Sequence, residues 1–104
     1  MADYKEPATA LADVYAKVAA GSWYVRHEAQ IDALALGSAV NVRLCLLALT
    51  EHDFHKAMDA DEPKWAGAIQ DVYKPVFGGM PLYVKFQIWP LKKNLLYVIS
   101  FKEQ

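Results

Sequence analysis

Lysine, tyrosine and glutamine side chains recur toward the end of the chain, on segments where apolar and polar residues alternate. Lysine and tyrosine can transfer protons where their surroundings shift the pKa, and lysine also neutralises phosphate charge. Glutamine can hold a phosphoryl oxygen or the edge of a base. The residues concerned are Gln70, Lys74, Tyr83, Lys85 and Lys102. Solvent-exposed sheet faces commonly carry lysines. These residue types alone are therefore compatible with catalysis, with phosphate binding or with a role in solubility only.

The register of the last predicted hairpin brings some of these residues together. A two-residue loop at 92–93 would make Tyr83 the direct partner of Lys102. The same loop would make Lys85 the partner of Ser100. Because side chains alternate along a strand, Tyr83, Lys85 and Lys102 would then share one face of the sheet.

The preceding hairpin extends this predicted face. A two-residue loop at 79–80 would make Lys74 the partner of Lys85 and leave Gln70 further along the same face. The opposite face would be apolar, formed by Val84, Phe86 and Ile88. The prediction depends on both loop lengths, because a slip of one residue moves every side chain to the other face.

Strand-like segments dominate the last third of the sequence. Residues 82–89 alternate cleanly between apolar and polar, which is typical of a half-buried strand. Further strands are predicted at residues 23–25, 69–74 and 95–101. The strands at 69–74, 82–89 and 95–101 follow one another along the chain and therefore predict a C-terminal antiparallel β-meander.

Helical spacing precedes this meander. Residues 7–20 place apolar side chains at i, i+3, i+4 and i+7, with Gly21 suited to the position after the end. Further helices are predicted at residues 28–36, 39–48 (capped by Ser38) and 51–59 (capped by Thr50). Helices gathered ahead of a meander indicate an α+β fold, in which the helices pack on one face of an antiparallel sheet. The length of 104 residues predicts a single domain over 1–104.

Metal and cofactor chemistry finds little support in the sequence. Cys45 is the only cysteine and lies in an apolar run, so we predict a buried thiol and neither an internal disulfide nor a cysteine zinc site. His52 and His55 are three residues apart on a predicted helix and could share a metal, but solvated surface histidines are the preferred interpretation. Glycine-rich nucleotide-binding motifs are absent. We therefore expect no metal and no cofactor.

Charge is distributed unevenly along the chain, although the net charge is only −1. Residues 1–71 carry six basic and eleven acidic residues, a net of −5, whereas residues 72–104 carry five basic residues and one acidic residue, a net of +4. This asymmetry suggests a polyanion-binding face in the last third, or lysines that solubilise exposed strand edges. No apolar run reaches the roughly 18 residues that span a bilayer, and the N-terminus lacks a signal-type stretch, so a cytoplasmic location is expected.

Four segments, in the correct order and at similar spacing, resemble motifs of the MqsR family of toxins. Residues 53–58 resemble its Asp-Phe-aromatic-Lys-small-Met segment, and residues 70–75 its Gln-Asp-Val-Tyr-Arg-Pro strand. Residues 82–85 resemble its Val-Tyr-Leu-Lys strand, and residues 98–103 its closing Val-Ser-Phe-Lys-Glu strand. The resemblance extends over essentially the whole chain from about residue 8.

The resemblance implies a RelE-type toxin fold and an endoribonuclease that cuts single-stranded messenger RNA, typically beside a GC dinucleotide, without a metal. It implies catalytic roles for Lys56, Gln70, Tyr83 and Lys102. Tyr83 would exchange protons, Lys56 and Lys102 would stabilise charge, and Gln70 would orient the RNA. Lys74 and Lys85 are expected to bind the RNA backbone.

The implied partner is a cognate antitoxin, expected to bind zinc and to carry a helix-turn-helix DNA-binding domain. Two other hypotheses stay open at this point. One is a domain of the same fold that does not cleave RNA and acts with its antitoxin in transcriptional repression. The other is an unrelated small α+β domain that associates through its sheet edge.

Overall fold

The computed structural model describes residues 3–37, 40–65, 67–89 and 95–104. In these residues, helices pack on one face of a mostly antiparallel sheet, which confirms the predicted α+β class. The helices are α1 (Leu11–Ala19), α2 (His27–Ala35) and α3 (Val42–Ala48). The strands are β1 (Asp3–Tyr4), β2 (Trp23–Val25), β3 (Phe54–Asp59), β4 (Ile69–Tyr73), β5 (Val76–Phe77), β6 (Met80–Ile88) and β7 (Leu96–Glu103).

The strands lie in the order β1-β3-β4-β6-β7-β2. Strand β5 is not part of this order and pairs with β6. Within the described residues the pairs are antiparallel except for β2, which runs parallel to β7. Strands β4, β6 and β7 form the predicted meander, and β2 confirms the short strand predicted at 23–25. The short strands β1 and β2 form the two edges of the sheet.

Helix α1 starts later than the predicted residue 7. The buried carboxylate of Asp71 accepts hydrogen bonds from the backbone N–H groups of Ala8 and Thr9, at 2.8 and 2.9 Å. These bonds tie the segment before the helix to β4, so the helix begins at Leu11. Burial raises the pKa of Asp71, and the two backbone hydrogen bonds oppose that rise.

Helices α2 and α3 lie close to their predicted positions. Helix α2 matches the prediction for 28–36 to within one residue at each end. Helix α3 begins at Val42, where the side chain of Asn41 caps it by accepting a hydrogen bond from the Leu44 N–H at 2.9 Å. The predicted cap Ser38 and first helical residue Ala39 lie outside the described residues.

The predicted helix over 51–59 is wrong. The Asp53 carboxylate does accept a hydrogen bond from the Thr50 backbone N–H at 2.8 Å, as a capping pair should. This pair closes only one 3-10 turn, and the chain then enters β3, whose backbone pairs with β1 on one side and β4 on the other. Ala57 is fully buried opposite Asp71, whereas its neighbour Lys56 points to the other face of the sheet.

The register of the last hairpin is confirmed near the chain end. Tyr83 pairs with Lys102 and Lys85 with Ser100. A bulge between Lys85 and Phe86 then shifts the pairing by one residue. The predicted loop at 92–93 lies outside the described residues.

The predicted register of the first hairpin is wrong by two residues. Lys85 pairs with Val72 rather than with Lys74. The cause is β5, which folds back on the start of β6 and moves the turn to Gly78 and Gly79, both with positive φ. Because the error is an even number of residues, the side chains stay on their predicted faces.

The main core lies between the helices and the inner face of the sheet. It includes Val14, Val18, Leu46, Leu82, Val84, Phe86, Val98 and Phe101. Tyr73 is fully buried there, and its ring stacks on Phe86 at a centroid distance of 5.4 Å. Among the described residues, no helix combines the length and the apolar character needed to cross a membrane.

Candidate functional site

The sheet face turned away from the helices carries four of the polar residues that the sequence singled out. Val84 and Phe86 belong to the helix-side core, so Tyr83 and Lys85, which alternate with them on β6, point to the opposite side. The cross-strand pairing adds Lys102 from β7 and Lys56 from β3. We call the surface formed by Lys56, Tyr83, Lys85 and Lys102 the lysine face.

Tyr83 and Lys102 form a direct cross-strand pair on this face. The Lys102 Nζ lies 5.5 Å from the centroid of the Tyr83 ring. A cation held over an aromatic ring is favoured by the ring quadrupole, so the ammonium group stays close to the phenol. This pair therefore brings a group able to exchange protons beside a fixed positive charge.

Lys85 is the half-buried lysine at the centre of the lysine face. Burial lowers its pKa from the ordinary value. The charge of Asp61 opposes this effect, while the charge of Lys102 adds to it. A lysine with a lowered pKa gives up its proton more easily than an exposed lysine does.

Lys56 reaches the lysine face from β3, not from a helix as the sequence predicted. It stands in one cross-strand row with Val72 and Lys85, so two strand spacings of about 4.8 Å separate the backbones of the two lysines. Its Nζ lies 3.5 Å from a carboxylate oxygen of Asp3, in a partly exposed ion pair. Such pairs contribute little to stability, and a phosphate can replace the carboxylate.

Gln70 lies beneath the surface rather than on it. Its side chain is 3% exposed, and its Nε2 donates a hydrogen bond to Oε1 of Gln87 at 2.7 Å. The Nε2 of Gln87 is buried and has no hydrogen-bond partner among the described residues. The pair links β4 to β6 at Gln87, two residues along β6 from Lys85. Gln70 can therefore support the lysine face but does not present its amide to solvent.

Lys74 directly follows β4, where its backbone N–H donates to the Asp53 carbonyl at 2.7 Å. Burial lowers the pKa of His55, and the charge of Lys74 adds to this effect. Lys74 lies at the margin of the lysine face, one residue past the stretch of β4 that pairs with β6.

An aromatic cluster adjoins the lysine face and was missed by sequence reasoning. Trp65, Tyr97 and Ile99 are buried, and Trp89 packs against them. Trp89 and Tyr97 have ring centroids 4.8 Å apart, and Trp65 meets Trp89 edge-on at 5.6 Å. Trp89, directly after β6, was a signal for this cluster in the sequence. Trp65 could not be placed in it, because the loop that contains Trp65 has no periodic pattern.

The loop after β3 also supplies acidic groups. Glu62 accepts a hydrogen bond from Arg26 at 2.6 Å, and a second pair at 3.7 Å joins it to Lys64. Arg26 is further paired with Glu28 at 3.1 Å. This arginine is thus occupied by carboxylates, whereas Lys85 and Lys102 have no ion-pair partner among the salt bridges of the described residues.

The two histidines considered for a metal site lie on different elements. His52 is in the 3-10 turn and His55 in β3. In the part of the chain that the structure describes, no three histidine, cysteine, aspartate or glutamate side chains are grouped so that they could hold a metal ion.

Cys45 is 1% exposed, and burial, followed by the charge of Asp53, raises the pKa of its thiol to about 12. We expect iodoacetamide at pH 8 to modify it more than about 100-fold more slowly in the folded protein than in urea, because the thiolate is the reactive form. A mass-spectrometric time course measures both rates. Equal rates would contradict the buried, protonated thiol.

The helices on a mostly antiparallel sheet define the class of the protein, an α+β domain with the architecture of RelE-like toxins. A family model described as "Motility quorum-sensing regulator, toxin of MqsA" matches residues 6–103, nearly the whole chain. The chain belongs to this MqsR toxin family and is a toxin of a toxin–antitoxin pair. A search of curated proteins finds no match.

Proposed function

We propose that this chain is an endoribonuclease that cleaves single-stranded messenger RNA beside GC dinucleotides, without a metal, and thereby stops translation and growth. The observation that carries the proposal is the lysine face, where Tyr83 pairs with Lys102, beside Lys85 and across β4 from Lys56. Three cations around a tyrosine provide both phosphate binding and proton transfer within one surface.

The reaction needs no group outside the RNA and the protein. A base removes the proton of the ribose 2′-hydroxyl, and the 2′-oxygen forms a bond to the adjacent phosphorus. The bond from phosphorus to the 5′-oxygen breaks, and an acid protonates that oxygen. The products are a 2′,3′-cyclic phosphate and a 5′-hydroxyl end.

The residues divide these tasks by their positions. Tyr83 exchanges protons, and Lys102, held over its ring, stabilises the negative charge that develops on the phosphoryl oxygens. Lys56, across β4 from Lys85, also stabilises the negative charge on the phosphoryl oxygens. It can donate or accept a proton once the RNA phosphate displaces the Asp3 carboxylate. Lys85 and Lys74 bind the backbone of the RNA.

Gln70 takes a less direct role than the one that the family resemblance implied. Because its amide is buried against Gln87, it positions β4 and β6 and orients the RNA only through the surface above it. The burial of both side chains supports this assignment.

The partner in this proposal is an antitoxin of the MqsA type, which binds zinc and carries a helix-turn-helix domain, and both proteins act in the cytoplasm. The family description supports the antitoxin, since it names MqsA as the protein whose toxin the family contains.

Growth under forced expression tests the proposal. We expect the parent chain to arrest cell growth, and Tyr83→Phe or Lys56→Met to relieve the arrest at equal protein level. Lys5→Met is the matched control, since Lys5 is an exposed lysine in the segment between β1 and α1. Arrest that persists in both site variants would overturn the assignment, and no arrest by the parent would favour a domain that represses without cleaving.

A further inference from the structure

An exposed aromatic ring lies at the edge of the sheet next to the aromatic cluster. Tyr24, in edge strand β2, is 48% exposed, and its ring stacks on that of Tyr97 at 5.6 Å with 25° between the planes. Trp89 flanks it at a centroid distance of 6.2 Å. One face of the Tyr24 ring thus packs on the buried ring of Tyr97, beside the partly buried Trp89.

Tyr24 points to the same side of the sheet as the lysine face. It pairs with Tyr97 in β7, and Tyr97 pairs with Gln87 in β6, one row along from Lys85. Its neighbours Trp23 and Val25 pack against the helix-side core, which places Tyr24 on the other face. Two strand spacings of about 4.8 Å separate β6 from β2. A short single-stranded RNA is therefore long enough to reach both Lys85 and Tyr24.

The charges around Tyr24 favour a neutral group there over a phosphate. Arg26, which follows β2, is held by Glu62 and Glu28, so its charge is already compensated. On the same side of the sheet, Lys85 and Lys102 form no salt bridge within the described residues. A ligand with phosphates at one end of this surface and a flat uncharged ring at the other matches that distribution.

We propose that Tyr24, supported by Tyr97 and Trp89, is a stacking subsite for one nucleobase of the single-stranded RNA whose backbone crosses the lysine face. This inference rests on the proposed function for its ligand, and it assigns to the chain a base-binding group outside the residues that perform the cleavage. All four nucleobases have a flat face that can stack on an aromatic side chain. The subsite therefore adds affinity for RNA more than selectivity for one base.

The test measures binding separately from cleavage. The probe is a fluorescently labelled single-stranded RNA of about eight nucleotides with 2′-O-methyl groups, which lacks the attacking hydroxyl and is not cut. We expect Tyr24→Ala to weaken binding by about 10-fold in fluorescence anisotropy, and Tyr24→Phe, which keeps the ring, to bind within about twofold of the parent. Tyr4→Ala is the matched control, because Tyr4 is an exposed tyrosine on the opposite edge strand β1.

A second probe ties the loss to a base. We expect an abasic nucleotide at one position to weaken binding by the parent and to leave binding by Tyr24→Ala unchanged, because both changes remove the same stacking contact. Tyr24→Ala binding as tightly as the parent, or Tyr24→Phe as weak as Tyr24→Ala, would overturn the subsite.

The outcomes separate the subsite from the cleavage proposal. Base-dependent binding with no cleavage of ordinary RNA would support the subsite and overturn the nuclease. Cleavage of ordinary RNA with no effect of Tyr24→Ala on binding would overturn the subsite alone. No binding of the probe by the folded parent would overturn the subsite whatever the cleavage result.

Discussion

Replacement of Tyr83 by phenylalanine is expected to slow RNA cleavage by about 100-fold or more, because it removes the hydroxyl to which the proposed mechanism assigns proton exchange in the transition state. The phenyl ring still supports the Lys102 ammonium, which lies 5.5 Å from the ring centroid, so RNA binding should change little. Initial rates on a labelled RNA, at concentrations below and above KM, separate the loss in kcat from any change in binding.

Tyr4→Phe is the matched control for this experiment. It removes a hydroxyl that donates to Asp59 at 2.9 Å, on the edge strand farthest from β2. Its cleavage rate should stay within twofold of the parent. If Tyr83→Phe cleaves within about threefold of the parent while remaining folded, Tyr83 is not a proton-transfer group.

Replacement of Phe86 by alanine is expected to destabilise the fold by about 3–5 kcal/mol. Phe86 is fully buried between the helices and the sheet, and its ring stacks on Tyr73 at 5.4 Å. The substitution removes apolar burial and leaves a cavity that the surrounding sheet cannot fill. Urea denaturation followed by circular dichroism measures the difference in the free energy of unfolding.

Val76→Ala provides the comparison for Phe86→Ala. Val76 lies in β5 and is 70% exposed, so its truncation should change the free energy of unfolding by less than about 0.5 kcal/mol. A loss below about 1 kcal/mol for Phe86→Ala would mean that this part of the core is not packed as described.

Alternation of side chains made the sheet face predictable even where the register was not. The first hairpin was placed two residues out of register, yet Lys85 and Tyr83 stayed on the predicted face because the side-chain period of a strand is two. The last hairpin was correct only as far as the bulge after Lys85. Bulges depend on local packing and leave no pattern in a single sequence.

The helix predicted at 51–59 failed because local signals and long-range pairing disagreed. Thr50 and Asp53 form the expected cap, but β1 and β4 supply backbone partners on both sides of Phe54–Asp59. Pairing with residues far along the chain outweighed a short, polar helical pattern. The error moved Lys56 from a helix to a strand while keeping it beside the site.

Long-range contacts also explain what was missed around the site. Glu62 meets Arg26 from 36 positions away, and no spacing rule relates the two. Gln70 was predicted as a site residue from its residue type, its place on the predicted face and the family resemblance, but its burial against Gln87 depends on the exact pairing of β4 with β6. The stacking of Tyr24 on Tyr97 likewise follows from the parallel pairing of β2 with β7, which the sequence did not indicate.

Mapping the products of a defined single-stranded RNA with several GC steps, incubated with the purified chain in EDTA, tests the central claim most directly. The account predicts cuts beside GC, fragments that end in 2′,3′-cyclic phosphate and 5′-hydroxyl, and loss of these products with Tyr83→Phe. Intact RNA in the presence of folded protein, or cuts that leave 3′-hydroxyl and 5′-phosphate ends, would contradict it.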